Sequence, residues 1–434
     1  MKIVIHRGID QIGGCITEVS THKTRILIDL GQNLPDGDGI VHDNLASRES
    51  VEKITRDVDA IFYTHYHGDH IGLFHLVPEG IPQYIGGVAK LVTIRKHFQL
   101  AYLPAFREEQ ELAISKLAAM HYFIGGQRIT VGDISVTPYF VSHSACDAFM
   151  FLIEGEGKRV LHTGDFRGHG YLSKGTIPTI KKLILPHGAI DFLITEGTLL
   201  SRAGERVKTE YELQKQIAEV MKQYKYVFAM CSSTDIERLA TFNAANKRMP
   251  GRLLVCDGFQ KDVLQIFADT KGAYTALFRF GKIFSYSPSA TLNKMMCDRG
   301  FCMFVRASIS NKFVAYLNYL LPQLDPKQTL LIYSMWGEYI NPKGEHAKPL
   351  YLNFIKHFPA VEKIHTSGHA SPEYLAEICN QINPTLGIIP IHSEQSDNYR
   401  QLNISDMLKD RIITRSQAIG GVDVVIKNPL YRSL

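Results

Sequence analysis

The sequence predicts an α/β protein in which a basic α/β segment is inserted into a domain of shorter strands. Short apolar runs, broken by glycines, occupy the first part of the chain and return near its end. Between them, from about residue 209, helical and strand patterns alternate, which is typical of parallel strands joined by helices. We therefore expect the two outer parts to form one domain around the insertion.

Each element follows from a local pattern. Gly13, Gly14 and Gly31 separate the first apolar runs, which favours an antiparallel start of a sheet. In the outer domain, helix is expected over most of 89–116, and the expected strands are 2–6, 15–19, 25–30, 58–64, 128–136, 148–153 and 159–162. In the insertion, the expected helices are 211–224, 235–246 and 261–268, and the expected strands are 226–231 and 253–256.

Composition excludes several classes of protein. The chain has 434 residues, 45% hydrophobic and 21% charged, which is typical of globular rather than disordered proteins. No apolar run reaches the ~20 residues that a membrane helix needs, and the start lacks the apolar stretch of a signal peptide. The seven cysteines are scattered without a C-x-x-C pair, so we expect buried free thiols and a cytoplasmic protein. Because apolar runs of membrane length are lacking, we also expect no membrane partner.

Charge is distributed unevenly along the chain. The net charge is +5, but residues 201–358 alone carry 22 Lys and Arg against 13 Asp and Glu, a balance of +9. The remainder is therefore at −4. Such asymmetry indicates a polyanionic partner for the inserted segment, although a basic solvated surface is the more common explanation.

The strongest chemical signal is the string His65-x-His67-x-Asp69-His70, which directly follows an apolar strand. Imidazoles two residues apart in a turn can converge on one cation. The adjacent Asp69-His70 pair indicates a second cation. The string therefore predicts a metal centre.

Metal ions need three or four ligands, so further donors are expected at other strand ends. His143, Asp165 and His392 each follow an apolar run, which is where an α/β sandwich places its active site. Each of them alone would often be structural. Their shared position after strands favours ligands.

These residues resemble the motifs of a known fold. Asp29, the histidine string, His143 and Asp165 resemble the metallo-β-lactamase series. Three further motifs resemble those of the β-CASP nucleases: Glu196 in Leu-Ile-Thr-Glu-Gly-Thr, His369 in Thr-Ser-Gly-His-Ala-Ser and His392 in Pro-Ile-His-Ser-Glu. The resemblance implies an αββα metallo-β-lactamase sandwich formed by 1–200 and 359–434, with 201–358 as the inserted β-CASP domain.

Among relatives, the chain looks most like ribonuclease J, through Gly-Asp-Phe and Ser-Gly-His-Ala-Ser. It stops about 40 residues after His392, so we expect it to lack the C-terminal domain through which that family dimerises. A homodimer therefore stays an open prediction.

The resemblance also implies a ligand set for two divalent ions per chain, with zinc expected and manganese as the alternative. In this scheme the first ion is held by His65, His67 and His143, and the second ion is held by Asp69, His70 and His392. Asp165 bridges the two ions. Asp29 orients the metal-binding turn without being a ligand itself.

General chemistry supports roles for the remaining residues. Two dications acidify a bridging water and neutralise phosphoryl charge. The leaving oxygen needs a proton, which His369 could supply while Glu196 keeps the imidazole charged. The predicted catalytic residues are therefore His369 and Glu196, together with Asp69 of the histidine string. Phosphate contacts are predicted at Ser232, Ser233 and Thr234, which close a strand and open a helix. The resemblance implies two more: Ser371, at a family position that contacts backbone phosphate, and Gly368, which would allow close approach. For the three hydroxyl residues 232–234, N-capping of a helix is the competing explanation.

Taken together, the residues favour a metal-dependent ribonuclease that hydrolyses single-stranded RNA, with endonucleolytic or 5′-exonucleolytic cleavage left open. The resemblance implies RNA because DNA-repair β-CASP members usually lack a histidine at the position of His392. The alternatives are a DNA nuclease or a small-nucleotide phosphodiesterase of the same fold, and an RNA-binding protein with a vestigial site. The complete set of donors argues against the vestigial site.

Overall fold

In the computed structural model, residues 1–202, 205–287, 289–307 and 311–427 are described, and the chain forms two compact units. Unit 1 comprises Met1–Leu34, Val41–Glu205 and the chain from Gly368 onward. Unit 2 comprises Pro35–Ile40 and Arg206–Ser367. Within the described ranges, none of the helices is both long and apolar enough to cross a bilayer.

The secondary structure alternates between short strands and helices throughout. In chain order the strands are β1 (Lys2–Arg7), β2 (Ile16–Ser20), β3 (Arg25–Ile28), β4 (Ala60–Phe62), β5 (Gln83–Gly86), β6 (His121–Phe123), β7 (Ile129–Val131), β8 (Ile134–Val141), β9 (Ala148–Gly155), β10 (Lys158–His162), β11 (Phe192–Glu196), β12 (Tyr226–Met230), β13 (Leu253–Cys256), β14 (Ile283–Ser285), β15 (Phe301–Val305), β16 (Thr329–Tyr333), β17 (Val361–Lys363), β18 (Gly387–Ile391), β19 (Gln417–Ile419) and β20 (Val422–Ile426).

The α-helices, again in chain order, are α1 (Arg48–Thr55), α2 (Gly68–Ile71), α3 (Gly87–Leu100), α4 (Arg107–Ala119), α5 (Thr176–Thr179), α6 (Glu210–Gln223), α7 (Ile236–Asn246), α8 (Gly258–Thr270), α9 (Ala290–Arg299), α10 (Asn311–Leu320), α11 (Pro349–Ile355), α12 (Pro372–Ile382) and α13 (Asp406–Asp410). Short 3-10 turns connect several of them.

Unit 1 contains two sheets that share one core. The first has the strand order β19-β20-β1-β2-β3-β4-β5-β6, and the second has the order β18-β11-β10-β9-β8-β7. Along β9, Phe149 and Phe151 enter the core shared with the first sheet, whereas Met150 and Leu152 enter a second core with α12. This period of two is what a strand buried on both faces requires. With α3 against β5 and β6, the predicted αββα sandwich is confirmed.

Unit 2 is built on one sheet with the order β14-β13-β15-β12-β16-β17, and every pairing in it is parallel. Helix α6 begins at a capping box between Thr209 and Glu212, and it buries Leu213 and Ile217 at helical spacing. The prediction of a parallel α/β insertion is confirmed.

Two elements differ from the sequence-based expectation. The helical stretch 89–116 is two helices, α3 and α4, separated by a 3-10 turn that starts at Pro104. Proline cannot continue a helix because it lacks the N–H group and clashes with the preceding turn. The expected strand 128–136 is the β7–β8 hairpin, because Gly132 turns the chain with φ +53°.

A buried ion pair joins α6 to α7 inside unit 2. Arg238 is 2% exposed and Glu210 is fully buried, and Nη2 of Arg238 lies 2.9 Å from the Glu210 carboxylate. Thr241 also donates its hydroxyl proton to this carboxylate at 2.6 Å. Removing one partner of such a pair leaves a buried charge without compensation.

We therefore predict that Glu210→Ala lowers the free energy of unfolding of unit 2 by about 3 to 5 kcal/mol. The measurement is a urea titration of the full chain followed by the fluorescence of Trp336, the only tryptophan, which lies in unit 2. Glu219→Ala on the same helix is the control. Its exposed pair with Lys222 should contribute less than about 1 kcal/mol. Equal losses in the two variants would contradict the prediction.

Candidate metal centre

The histidine string lies in a loop that is fixed by backbone hydrogen bonds. After β4 the chain passes through Thr64 and His65 and enters the short helix α2. The amide of Cys15 donates to the carbonyl of Asp69 at 2.9 Å, and the amide of Leu30 donates to that of His70 at 2.8 Å. The loop is thereby held against the segments that flank β2 and β3.

Three imidazoles predicted as ligands of the first ion meet in unit 1. Nδ1 of His67 lies 3.1 Å from Nε2 of His65 and 3.2 Å from Nε2 of His143. One nitrogen from each of the three lies within 4.8 Å of the others, which is close enough for a single cation.

A carboxylate and two histidines form the neighbouring set. Nε2 of His392 lies 3.1 Å from Oδ2 of Asp69, and Nε2 of His70 lies 4.0 Å from the same oxygen. These are the three residues predicted to hold the second ion. The fold brings them together although His392 follows His70 by 322 positions in the sequence.

Asp165 lies between the two sets. Its Oδ2 is 3.2 Å from Nε2 of His70, 3.5 Å from Nε2 of His392 and 3.9 Å from Nε2 of His143. One carboxylate therefore faces members of both sets, as a bridging ligand must.

Hydrogen bonds on the far side orient the imidazoles. Nδ1 of His70 lies 2.7 Å from Oδ2 of Asp29, Nδ1 of His143 lies 2.8 Å from the carbonyl oxygen of Gly368, and Nδ1 of His392 lies 2.7 Å from the Thr198 hydroxyl. Each of these contacts leaves Nε2 facing Asp165. Such partners fix the ring and the tautomer of a metal ligand.

The three imidazoles of the first set have the neutral form that a metal ion requires, whereas the carboxylates of Asp165 and Asp29 raise the pKa of His70 despite its burial. Burial lowers the pKa of His65, His67 and His143, to about 4 for His67, so these rings are neutral near pH 7. Burial acts to raise the pKa of Asp165, but the positive charge of neighbouring histidines, His392 foremost, holds it well below its usual value.

These donors fit divalent metal ions. Oδ1 of Asp165 and Nε2 of His70 are buried, and neither makes a hydrogen bond. Buried polar atoms are rarely left unsatisfied, so a cation among these atoms would resolve both cases. Imidazole and carboxylate suit zinc, and carboxylate also suits manganese. When bound, such ions polarise water and neutralise negative charge on a phosphodiester.

Glu196 and His369 form a second pair beside the donors. Nδ1 of His369 lies 3.2 Å from Oε2 of Glu196 and 3.7 Å from Oδ2 of Asp165. Burial acts to lower the pKa of His369, but the charge and hydrogen bond of Glu196 outweigh burial and raise it. The His369 side chain is 20% exposed whereas Glu196 is fully buried, so the imidazole alone of this pair reaches solvent.

The predicted phosphate contacts are divided between the units. In unit 1, Ser371 caps α12 by accepting from the amide of Tyr374 at 3.3 Å. A Cβ at Gly368 would lie 2.5 Å from the Ser144 hydroxyl, so a larger residue would force a shift there. In unit 2, residues 232–234 are half-buried between β12 and α7, and the N-cap of α7 is Asp235. N-capping therefore does not account for the three hydroxyls.

Two residues that support the centre are not among the predicted ones. The Thr198 hydroxyl lies 2.7 Å from Nδ1 of His392 and 3.1 Å from Nδ1 of His369. The Thr64 hydroxyl lies 3.0 Å from Nδ1 of His65. Thr64 directly precedes the histidine string, and Thr198 lies two residues after Glu196. A hydroxyl residue so close to a predicted motif is the sequence signal that could have indicated both.

Comparisons with known proteins agree with this geometry. Residues 24–225 match the beta-lactamase superfamily domain, and residues 359–409 match the Zn-dependent metallo-hydrolase RNA specificity domain. The chain is 24% identical over 411 residues to an RNase J-like protein of Methanocaldococcus jannaschii, covering 90% of this chain and 92% of that protein. It is 28% identical over 209 residues to ribonuclease J of Helicobacter pylori, covering 48% of this chain and 26% of that enzyme.

A solved structure gives the same result for the fold. A protein of unknown function from Enterococcus faecalis superposes with a TM-score of 0.66 at 21% identity, over 91% of this chain and 95% of that chain. The chain is a metallo-hydrolase whose residues 24–225 match the beta-lactamase superfamily domain and whose residues 359–409 match the RNA specificity domain, and it resembles ribonuclease J among the β-CASP nucleases.

Proposed function

We propose that this protein is a metal-dependent ribonuclease that hydrolyses phosphodiester bonds of single-stranded RNA, by endonucleolytic or 5′-exonucleolytic cleavage. The observation that carries the proposal is the position of Asp165, whose carboxylate faces histidines of two separate donor sets. The RNase J names of the relatives and the description of the C-terminal match support RNA as the substrate.

The donor sets take separate roles in this proposal. His65, His67 and His143 would hold one ion, and Asp165 would contribute to both sites. Asp69, His70 and His392 would hold the second ion. Zinc is the expected metal and manganese the alternative.

His369 supplies a proton to the leaving oxygen. Its Nδ1 faces Glu196, so the transferred proton comes from Nε2 on the other edge of the ring. The charge of Glu196 raises the pKa of His369, which favours the protonated ring that a general acid needs. Glu196 is in turn fixed by the amides of Ala370 and Thr198, at 3.1 and 3.2 Å, so it serves as a positioning residue.

RNA is bound through its phosphates in this proposal. Ser371 and Gly368 in unit 1, and the hydroxyls of residues 232–234 in unit 2, are the proposed contacts. The basic segment 201–358 supplies the positive charge.

The first prediction from the proposed function concerns metal content. Wild-type protein loaded with zinc should hold about two ions per chain, and His392→Ala about one, because the substitution removes a donor of the second set. Elemental analysis after gel filtration measures this. His97→Ala, which removes a histidine of α3 outside the donor sets, should keep both ions. A wild-type protein that holds only traces of zinc or manganese would refute the metal centre.

The second prediction separates proton donation from metal binding. His369→Ala should keep both metals but lower the single-turnover cleavage rate by roughly 100- to 10,000-fold. Glu196→Gln should lower it less, since the imidazole remains while its charged form is weakened. Metal content and cleavage are measured on the same preparations. Loss of a metal from His369→Ala, or cleavage at the wild-type rate, would overturn the assignment.

The third prediction concerns the basic segment. Raising salt from about 50 to about 200 mM should weaken binding of a single-stranded RNA about 50-fold if about four phosphates are contacted. Lys261→Glu with Lys282→Glu should weaken binding and flatten the salt dependence. The control is Lys23→Glu with Lys53→Glu, the same charge change at exposed sites outside the segment. Equal effects of the two double variants would mean that the segment does not bind RNA.

A further inference from the structure

Cys15 is a buried thiol beside the second donor set. It directly precedes β2 and is 1% exposed. Its Sγ lies within 4.8 Å of one ring nitrogen of His70 and of one of His392, and these three atoms are mutually close enough to hold one ion. The sequence predicts only that the cysteines are small buried residues. Burial alone does not explain why the Cys15 thiol lies beside two predicted metal ligands.

The backbone fixes Cys15 against the metal-binding loop. Its amide donates to the carbonyl of Asp69 at 2.9 Å, and its carbonyl accepts from the amide of Gly31 at 3.0 Å. A Cβ at Gly8 would lie 3.1 Å from Sγ and 3.7 Å from the amide nitrogen of His392. The absence of a side chain at Gly8 therefore leaves the space that the thiol occupies.

A second observation indicates a ligand at this place. Nε2 of His70 is buried and makes no hydrogen bond. The Cys15 thiol is buried beside the same histidine. The unsatisfied Nε2 of His70 and the buried thiol of Cys15 thus belong to residues that could share one ion.

We propose that the thiol of Cys15 is an additional ligand of the second metal ion and makes this position selective for thiophilic metals. The proposal rests on the metal centre described under the proposed function. A thiolate favours zinc, whereas carboxylates and imidazoles alone accept manganese as well. The ion replaces the thiol proton, which passes to the solvent, and its shell then includes one sulfur.

The experiment replaces the native metal with cobalt(II), whose absorption spectrum reports its ligands. Protein stripped with a chelator is titrated with about two equivalents of cobalt. Wild-type protein should show a near-ultraviolet sulfur-to-cobalt charge-transfer band corresponding to one thiolate. Cys15→Ser should lose this band and keep the visible bands of bound cobalt. Cys379→Ala is the control, because Cys379 is fully buried in α12 and packs in the hydrophobic core.

Metal competition gives a readout independent of the spectrum. In Cys15→Ser the affinity for zinc should fall at least about tenfold, while that for manganese should change less than about twofold. Cys379→Ala should change neither. Equal changes for both metals would overturn the selectivity.

The outcomes distinguish this proposal from the metal centre itself. Wild-type protein that binds cobalt without a sulfur band would overturn the role of Cys15 and leave the centre intact. Wild-type protein that binds none of cobalt, zinc or manganese would overturn both. The wild-type spectrum decides the matter even if Cys15→Ser fails to fold, and Cys15→Ala serves as a second variant.

Discussion

The centre depends on one buried carboxylate, Asp165, that faces imidazoles from separate parts of the chain. Oδ2 of Asp165 is 3.2 Å from His70 and 3.5 Å from His392. A buried carboxylate needs compensating charge or hydrogen bonds. The sandwich provides them because β4, β8, β10 and β18 all end on the side of the sandwich that carries the donors. Alternate residues of the same strands fill the core between the two sheets. The same strands therefore supply the apolar residues of the core and, just beyond their ends, the polar residues of the centre.

Backbone conformation adds a second constraint. Asp29 and His392 both have positive φ, at 62° and 51°, which residues other than glycine adopt only when their surroundings enforce it. Around Asp29, the carboxylate accepts from the amide and hydroxyl of Thr64 at 2.7 and 2.8 Å and contacts His70. The same hydrogen bonds that orient the imidazoles thus stabilise the strained backbone. A substitution at Asp29 would affect ring orientation and loop conformation together.

Much of the fold and of the centre is predictable from sequence because both depend on local patterns. A polar residue after an apolar run marks a strand end, so the residues of the string, His143, Asp165 and His392 could be proposed as donors without coordinates, and the fold brings them together. Thr198 could not, since a hydroxyl in a Glu-Gly-Thr turn has many roles and only the folded chain shows that it contacts two histidines. Cys15 looked like an apolar core residue because its neighbours in sequence are apolar or glycine. The break between α3 and α4 at Pro104 is also a local signal, but the helical pattern on both sides of it favours a single helix.

The insertion raises the question of how residues on either side of it meet. Glu196 at the end of β11 contacts His369, 173 residues later, and β11 pairs directly with β18. Closing a disordered loop of that length would cost about 2 to 3 kcal/mol more than closing one of about ten residues. Unit 2 removes most of this cost, because its own two ends are joined by a hydrogen bond of 3.0 Å from the amide of Lys208 to the hydroxyl of Thr366. Once folded, unit 2 acts as a short connection between adjacent strands. The buried Arg238, which donates to Glu210 and to the carbonyl of Thr366, strengthens that closure, so the packing of the insertion favours assembly of the candidate centre, whose proposed ligands lie in unit 1.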